Sequence, residues 1–430
     1  MKSVHFFYFF CLIIFVNGNC LLAEPKFDAN IIASFVSKIL KHSPEVVAAK
    51  AELEKFSGVK KQAGLFPNPV FGIEYEKFAG NRKFAGTSQI ESGVKLGQTF
   101  VTAGKLRKAV KVASIDEQIA VEQIKLTRRM VQVRVFEKLV ELDALVKDAG
   151  LAKEILEVIS RYSEAVTKKE KAGEIPAIEK MRARIKVSSA KTRLSKIQRE
   201  IMQKKREIVA ESGRADFPAM SLKFPEFDQK LCELVPENFK SIIDAHPEIA
   251  AARLEKSKAE TVIKLELAKR TPNFELEVGF VKERNQRQHF YTAGIRFELP
   301  VFDRKQGNFS SAKAEFQKRL NRLSATELKV RNALLELIED LESAGDEKMQ
   351  MLEFILPEAE LMLSQAVKSQ SYGESDFLKV LDARMALLEA KQIYYRICAD
   401  ELCLFFKILT EYSEESEVYS VLSHAGKGDI

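Results

Sequence analysis

The sequence has 430 residues, 46% of them hydrophobic and 30% charged, with no Trp and a net charge of +7 from 68 basic and 61 acidic side chains. No run approaches the roughly 18 consecutive apolar residues of a spanning helix, which excludes a helical bundle in lipid, and the charge excess is too mild to argue for nucleic acid. Five histidines, at 5, 42, 246, 289 and 424, lie far apart and argue against a histidine-ligated metal centre.

Lys2 and His5 precede an apolar run from Phe6 to Val16, followed by Asn17, Gly18 and Asn19. A basic start, a short apolar core and polar residues after it describe a secretory signal over 1–23. Cleavage after Ala23 or after Gly18 fits. A lipoprotein reading would make Cys20 the first residue, but Asn19 stands where a small residue is usual. Export permits disulfides, yet only Cys232, Cys398 and Cys403 lie beyond the signal. Cys398 and Cys403 are five apart in a helical pattern, on different faces, so all three read as small hydrophobes.

The remainder repeats itself. His42-Ser43-Pro44-Glu45-Val46 recurs as His246-Pro247-Glu248-Ile249, Pro67-Asn68-Pro69 as Thr271-Pro272-Asn273, and Gly173-Glu174 as Gly373-Glu374. Three pairs in register indicate duplication. The copies are 24–211 and 241–412, joined by an irregular Pro- and Phe-containing linker at 212–240 and followed by a polar tail at 413–430. Each copy opens with a helix whose proline, Pro44 or Pro247, occupies the first turn, where a missing N–H costs nothing.

A Pro-Asn breaker then gives way to two alternating segments, 70–78 and 90–99 in the first copy, 274–282 and 290–299 in the second. Phe274, Leu276, Val278 and Phe280 share one face, and Glu275, Glu277 and Gly279 the other. Tyr291, Ala293, Ile295, Phe297 and Leu299 likewise oppose Thr292, Gly294, Arg296 and Glu298. In the first copy Phe71, Ile73 and Tyr75 oppose Gly72, Glu74 and Glu76; Ile90, Val94 and Leu96 oppose Glu91, Gly93 and Lys95. Period-two alternation marks strands with one apolar face, and nine to eleven residues is the length a tilted strand needs to cross a bilayer. The charged face suits a watery lumen better than a core. Four strands cannot close a barrel, and lipid tolerates no open sheet edge, so the chain must oligomerise. Geometry alone allows a dimer or more.

Long helical tracts follow each hairpin, over 105–172 and 304–370, the second interrupted only by Gly307, Gly345 and Pro357. Val330, Leu334, Leu337, Leu341 and Ala344 step 4-3-4-3, and Val135, Leu139, Leu142 and Val146 step 4-3-4, which is coiled-coil spacing. Turns at Gly173 and Gly373 send the chain back through helices over 176–211 and 375–412. These turns, with Glu174, Ile175 and Pro176 and with Glu374, Ser375 and Asp376, are the matched reversals of the long helices.

No catalytic arrangement emerges. Gly97 and Gly104-Lys105 are two residues too far apart for a phosphate loop, and Leu106 stands where Ser or Thr would ligand magnesium. No Ser-His-Asp order, paired Cys, HExxH or GxSxG occurs. His42 and His246 read as capping or packing residues at helix starts, and the remaining carboxylates as solvated helix faces. Neither cofactor nor bound metal is expected.

The paired HxPE helix starts, Pro67-Asn68-Pro69, the stretch LPVFDRKQG at Leu299–Gly307 and the stretch YGESDFLKVLDAR at Tyr372–Arg384 together resemble the TolC-like outer-membrane efflux proteins over essentially the whole mature chain. The likeness is strongest to their heavy-metal, CzcC-like branch. The resemblance implies an α+β membrane protein, a homotrimer in which each subunit gives four strands to a twelve-stranded barrel continued by a long antiparallel helical tunnel in the periplasm. It implies a passive exit duct working with a periplasmic adaptor and an inner-membrane pump of the RND type. It also places a constriction at Asp382, with Lys379 where some members carry a second acidic residue, and adaptor docking at the two turns. A different class of reading is a non-conducting periplasmic coiled-coil adaptor or scaffold, whose hairpins would pack in soluble domains.

Overall fold

The computed structural model describes residues 29–77, 89–213, 224, 243–372 and 377–412. The expected signal, the tail, nearly all of the linker and the turn residues Gly373, Glu374, Ser375 and Asp376 lie outside the described residues. The chain divides into two compact units, each drawn from both halves of the sequence: 49–125 with 247–329, and 1–48 with 126–246 and 330–430.

The first unit holds the strands. Helices α2 (Pro44–Ala63) and α5 (Pro247–Ala268) begin on their prolines, each followed by an acidic residue, Glu45 or Glu248, that suits the positive end of the helix dipole. Strands β1 (Val70–Glu76), β2 (Glu91–Phe100), β3 (Phe274–Glu283) and β4 (Gln288–Phe297) form one antiparallel sheet in the order β1-β2-β3-β4. The two hairpins are therefore joined through β2 and β3, where Leu96 faces Val278 and Phe100 faces Phe274. The last strand runs 288–297 rather than 290–299. Glu283 pairs Gln288 across a four-residue loop, and β3 starts only at Phe274, so nothing remains to pair beyond Phe297.

In the second unit, α3 (Lys105–Lys171) contributes most of an unbroken 67-residue helix, about 100 Å at 1.5 Å per residue. It continues through Gly150, where a Cβ would meet nothing. α4 (Ala177–Ser212) returns and ends on Gly213, whose φ of +61° makes a left-handed cap. α1 (Ala29–His42), not anticipated from the pattern, packs on α4 and buries Ile32, Val36, Ile39 and Leu40. The later tract is α6 (Gln306–Gln350), a π-helical turn over Met351–Ile355, and α7 (Leu356–Ser371), followed by α8 (Phe377–Tyr412). The π-turn has a local cause. Pro357 has no N–H for the carbonyl four residues back, at Glu353, and the wider turn takes up the mismatch.

The stripe Val330, Leu334, Leu337 and Leu341 is buried as its spacing requires, and so are Val135, Leu139 and Leu142. Val146 departs from expectation: it is 48% exposed. An α-helix drifts against a strict seven-residue repeat, so over a straight helix the buried seam rotates away from that position. Asp143 takes the inward place, accepting from the Phe224 backbone N–H at 3.5 Å and pairing with Lys147 at 3.3 Å. His246 is buried and packs on the Tyr412 ring at 5.3 Å, whereas His42 is exposed and its Nδ1 lies 3.0 Å from the Lys38 carbonyl. Cys398 and Cys403 are free.

Candidate channel wall and entrance

Alternation along each strand, combined with the observed register, sorts the sheet into two chemically distinct faces. On one, Phe71–Leu96–Val278–Ala293 and Ile73–Val94–Phe280–Tyr291 form rows across four strands, and Phe100–Phe274–Phe297 forms a row across three. These side chains face outward from the protein: Phe71, Ile73, Leu96, Val278, Ile295 and Phe297 are all between 47% and 67% exposed. Aromatic side chains bracket the aliphatic ones, with Phe100 stacked on Phe274 at 5.1 Å at one end and Phe280 against Tyr291 at 5.6 Å toward the other. An apolar face left bare with aromatic rows at its margins is the surface a membrane barrel presents to lipid.

The opposite face is a charged lattice. Lys95 pairs with Glu74 at 2.6 Å and Glu277 at 3.6 Å, and Arg296 with Glu275 at 3.6 Å and Glu277 at 3.7 Å. Lys77 bonds Glu91 at the end next to the hairpin loops. Five glycines, Gly72, Gly93, Gly97, Gly279 and Gly294, all fall on this face. Two are needed for space. A Cβ on Gly97 would lie 2.7 Å from Glu275 Oε1, and one on Gly279 would lie 2.5 Å from Thr292 Oγ1 and 3.2 Å from the Val94 carbonyl. The six carboxylates Glu74, Glu76, Glu91, Glu275, Glu277 and Glu283 outnumber the three basic groups Lys77, Lys95 and Arg296.

The α3–α4 turn is built locally. Gly173 sits at φ +79°, a left-handed position that favours glycine, with its N–H on the Glu170 carbonyl at 3.0 Å and that of Glu174 on Lys169 at 3.0 Å. Lys180 pairs back to Glu170 at 3.0 Å, bracing the reversal. Gly173, Glu174 and Pro176 are exposed, whereas Ile175 turns inward onto a cluster of Val158, Tyr162, Val166, Ala183 and Leu381. That cluster joins two groups of residues singled out separately in the sequence, because Leu381 on α8 is the immediate neighbour of Asp382. Asp382 and Lys379 are both exposed, and among the described residues neither forms an ion pair. A surface salt bridge from Asp382 to Lys379 or Arg384 is thus not formed.

A family model for outer membrane efflux proteins matches residues 35–214 and 239–396. The chain belongs to the outer membrane efflux protein family. It is 22% identical over 347 residues to the cobalt-zinc-cadmium resistance protein CzcC of Cupriavidus metallidurans, covering 81% of each chain. Its fold is similar to that of the outer membrane protein VceC of Vibrio cholerae, with a TM-score of 0.72 and 18% identity over 89% of this chain and 97% of VceC. It is similar also to the CmeC outer membrane channel of Campylobacter jejuni, with a TM-score of 0.71 and 14% identity over 97% and 98%. The resemblance to TolC-like efflux proteins is met at the level of the family, whose members are channel proteins rather than enzymes.

In this efflux protein two polar features escaped the sequence pattern. Lys348 and Glu401 form an ion pair of 2.7 Å between α6 and α8, at 1% and 2% side-chain exposure. Lys348 follows Leu341 at a seven-residue interval, so it continues the buried stripe; a charged residue at that spacing was the available signal. Near it along α8, burial pushes the Cys403 thiol up to about 12, with Glu137, Glu141 and Asp400 adding to the effect. Burial likewise holds the Glu137 and Asp400 carboxyls above their ordinary range, against the opposing charges of Lys407 and Arg396 respectively. A groove of about 730 Å³ lies between α3, α4 and α8. Gln392 spans it, bonding Asp148 on α3 and accepting from Arg193 on α4 at 2.6 Å.

Proposed function

We propose that the protein is the exit duct of a tripartite efflux system, conducting substrate passively across the outer membrane. The observation that carries the reading is the inverted sheet, with apolar rows toward the outside and ion pairs and glycines on the other face. A hairpin packed in a soluble domain buries its apolar face; this one exposes it, which disfavours the adaptor or scaffold alternative. Three copies would bring four strands each to a twelve-stranded barrel, and the duplicated grammar of the two halves gives each hairpin a matching helical extension. The helical part then lies in the periplasm, with Gly173–Pro176 and Gly373–Asp376 at the adaptor-docking end.

Asp382 and Lys379 form the constriction in this reading, three copies of each around one axis. The excess of carboxylates on the wall favours cations, and the likeness to a cobalt-zinc-cadmium resistance protein points to divalent metal ions as cargo, supplied by an RND pump through its adaptor. Membrane fractionation and reconstitution test the proposal. The protein should require detergent for extraction, migrate as a trimer when unheated, and give cation-selective current in planar bilayers. Extraction without detergent, or a detergent-solubilised monomer without current, would favour the scaffold instead.

A further inference from the structure

Beyond the aromatic row Phe100–Phe274–Phe297, on the side away from the hairpin loops, a second set of apolar residues is exposed. Leu65 and Phe66, just before β1, are 59% and 66% exposed; Leu299, Val301 and Phe302, just after β4, are 73%, 55% and 90% exposed. β1 and β4 are the two outer strands of the sheet, so these patches stand at its opposite lateral edges. They are at the same end, since Val70 is in register with Gly97, Gly97 with Glu277, and Glu277 with Gly294.

Between them the same end of the sheet is closed by polar contacts. Thr102 donates from Oγ1 to the Pro272 carbonyl at 2.7 Å, and Lys105 to Asn273. A lipid-facing belt would include the two middle strands, as the row above does through Phe100 on β2 and Phe274 on β3. A patch confined to the two edges matches instead the places where a neighbouring copy arrives. We propose that these residues form a clasp between subunits, in which Phe302 of one copy seats against Leu65 and Phe66 of the next, at the foot of the seam between β4 and the next copy's β1. The clasp rests on the barrel reading above and names the contact that would hold its seams.

Three observations support a second copy as the occupant. Pro67 and Pro300 flank the outer strands and have no N–H to give, so backbone pairing across the seam stops there and side chains must take over. The turn presenting Phe302 is already braced: the Lys305 N–H donates to Asp303 Oδ1 at 2.9 Å, the Arg304 N–H to Gln306 Oε1 at 2.9 Å, and Arg304 Nε to the Val301 carbonyl at 3.2 Å. Little ordering is left to do on contact. Finally, with ~200 Å² for an exposed aromatic, the two edges together offer on the order of 600 Å² of apolar surface per seam. That is roughly a third of a standard specific interface of about 1,600 Å², a fitting supplement to strand pairing.

The test joins Phe66→Cys and Phe302→Cys in one chain, and follows subunit exchange of a Phe302→Ala variant by mixing labelled and unlabelled trimers in detergent. Oxidation of the double variant should give covalent dimers and trimers, while each single variant stays monomeric on denaturing gels. Phe302→Ala should exchange subunits at least tenfold faster than the parent. Trimers that form normally but neither crosslink nor exchange faster overturn the clasp and leave the barrel standing. Crosslinking without faster exchange also overturns it as a stabilising contact. If the parent itself never trimerises, the barrel reading fails and the clasp with it. The exchange measurement decides the matter should the double cysteine variant not fold.

Discussion

On the sheet, residues adjacent in sequence have opposite surroundings, so single substitutions there should differ sharply in effect. Val278 stands on the apolar face at 48% exposure and Glu277 on the charged face. Val278→Arg should cost about 2–4 kcal/mol and sharply lower the yield of folded trimer in the membrane, whereas Glu277→Arg should leave assembly intact. Equal losses at both positions would contradict the barrel. Asp382 and Lys379 are tested through current. Three carboxylates around one axis attract divalent cations, and three ammonium groups a helical turn away oppose them. Asp382→Ala should relieve divalent-cation block from the periplasmic side, and Lys379→Ala should deepen it; no change in either means that the constriction lies elsewhere. Cys403 offers a pH readout. Its folded thiol ionises near 12 against roughly 8.5 for a free one, so between those values the unfolded chain loses a proton that the folded chain keeps. Stability should therefore fall as pH rises above about 8.5. Maleimide labelling of Cys403 at that pH should be on the order of a hundredfold or more slower in the folded protein than after denaturation.

The elements divide into those whose causes are local and those whose causes are not. Strands were legible because β-period alternation is written residue by residue, and the helix starts because Pro44 and Pro247 can stand only in a first turn. The turn at Gly173 was legible for a similar reason: a lone glycine between long helical patterns marks a left-handed cap. What the pattern could not carry was the path of a buried seam along a very long helix. Val146 fits the 4-3-4 count and is exposed, while Lys348 fits the stripe but reads as polar, and is buried. Which neighbour a helix meets at each turn is a tertiary fact. The pair at Lys348 and Glu401 makes this testable. Lys348→Met alone strands a buried carboxylate and should destabilise by about 3–5 kcal/mol, lowering the thermal midpoint of the helical circular dichroism signal. Lys348→Met with Glu401→Leu should restore most of that loss.

For the whole molecule, the family and the two-faced strands were legible in the sequence, but the number of copies and the closure of the proposed barrel depend on contacts that a single chain does not contain. Asp382 and Lys379 illustrate the gap: their exposure is visible in one copy, and the proposed ring of them would be a property of the assembly. The charged wall of the sheet has a consequence of its own at this scale. The chain carries a net charge of +7, yet this face of the sheet holds Glu74, Glu76, Glu91, Glu275, Glu277 and Glu283 against Lys77, Lys95 and Arg296. In the proposed bore, lined this way, the excess of fixed anions must be balanced by mobile cations drawn in from outside, whatever the concentration there. As bath salt falls below ~0.1 M, where the Debye length exceeds about 10 Å, the carriers inside are set by the wall rather than the bath. Conductance should then level off instead of falling in proportion to salt, and neutralising the wall carboxylates should restore proportionality.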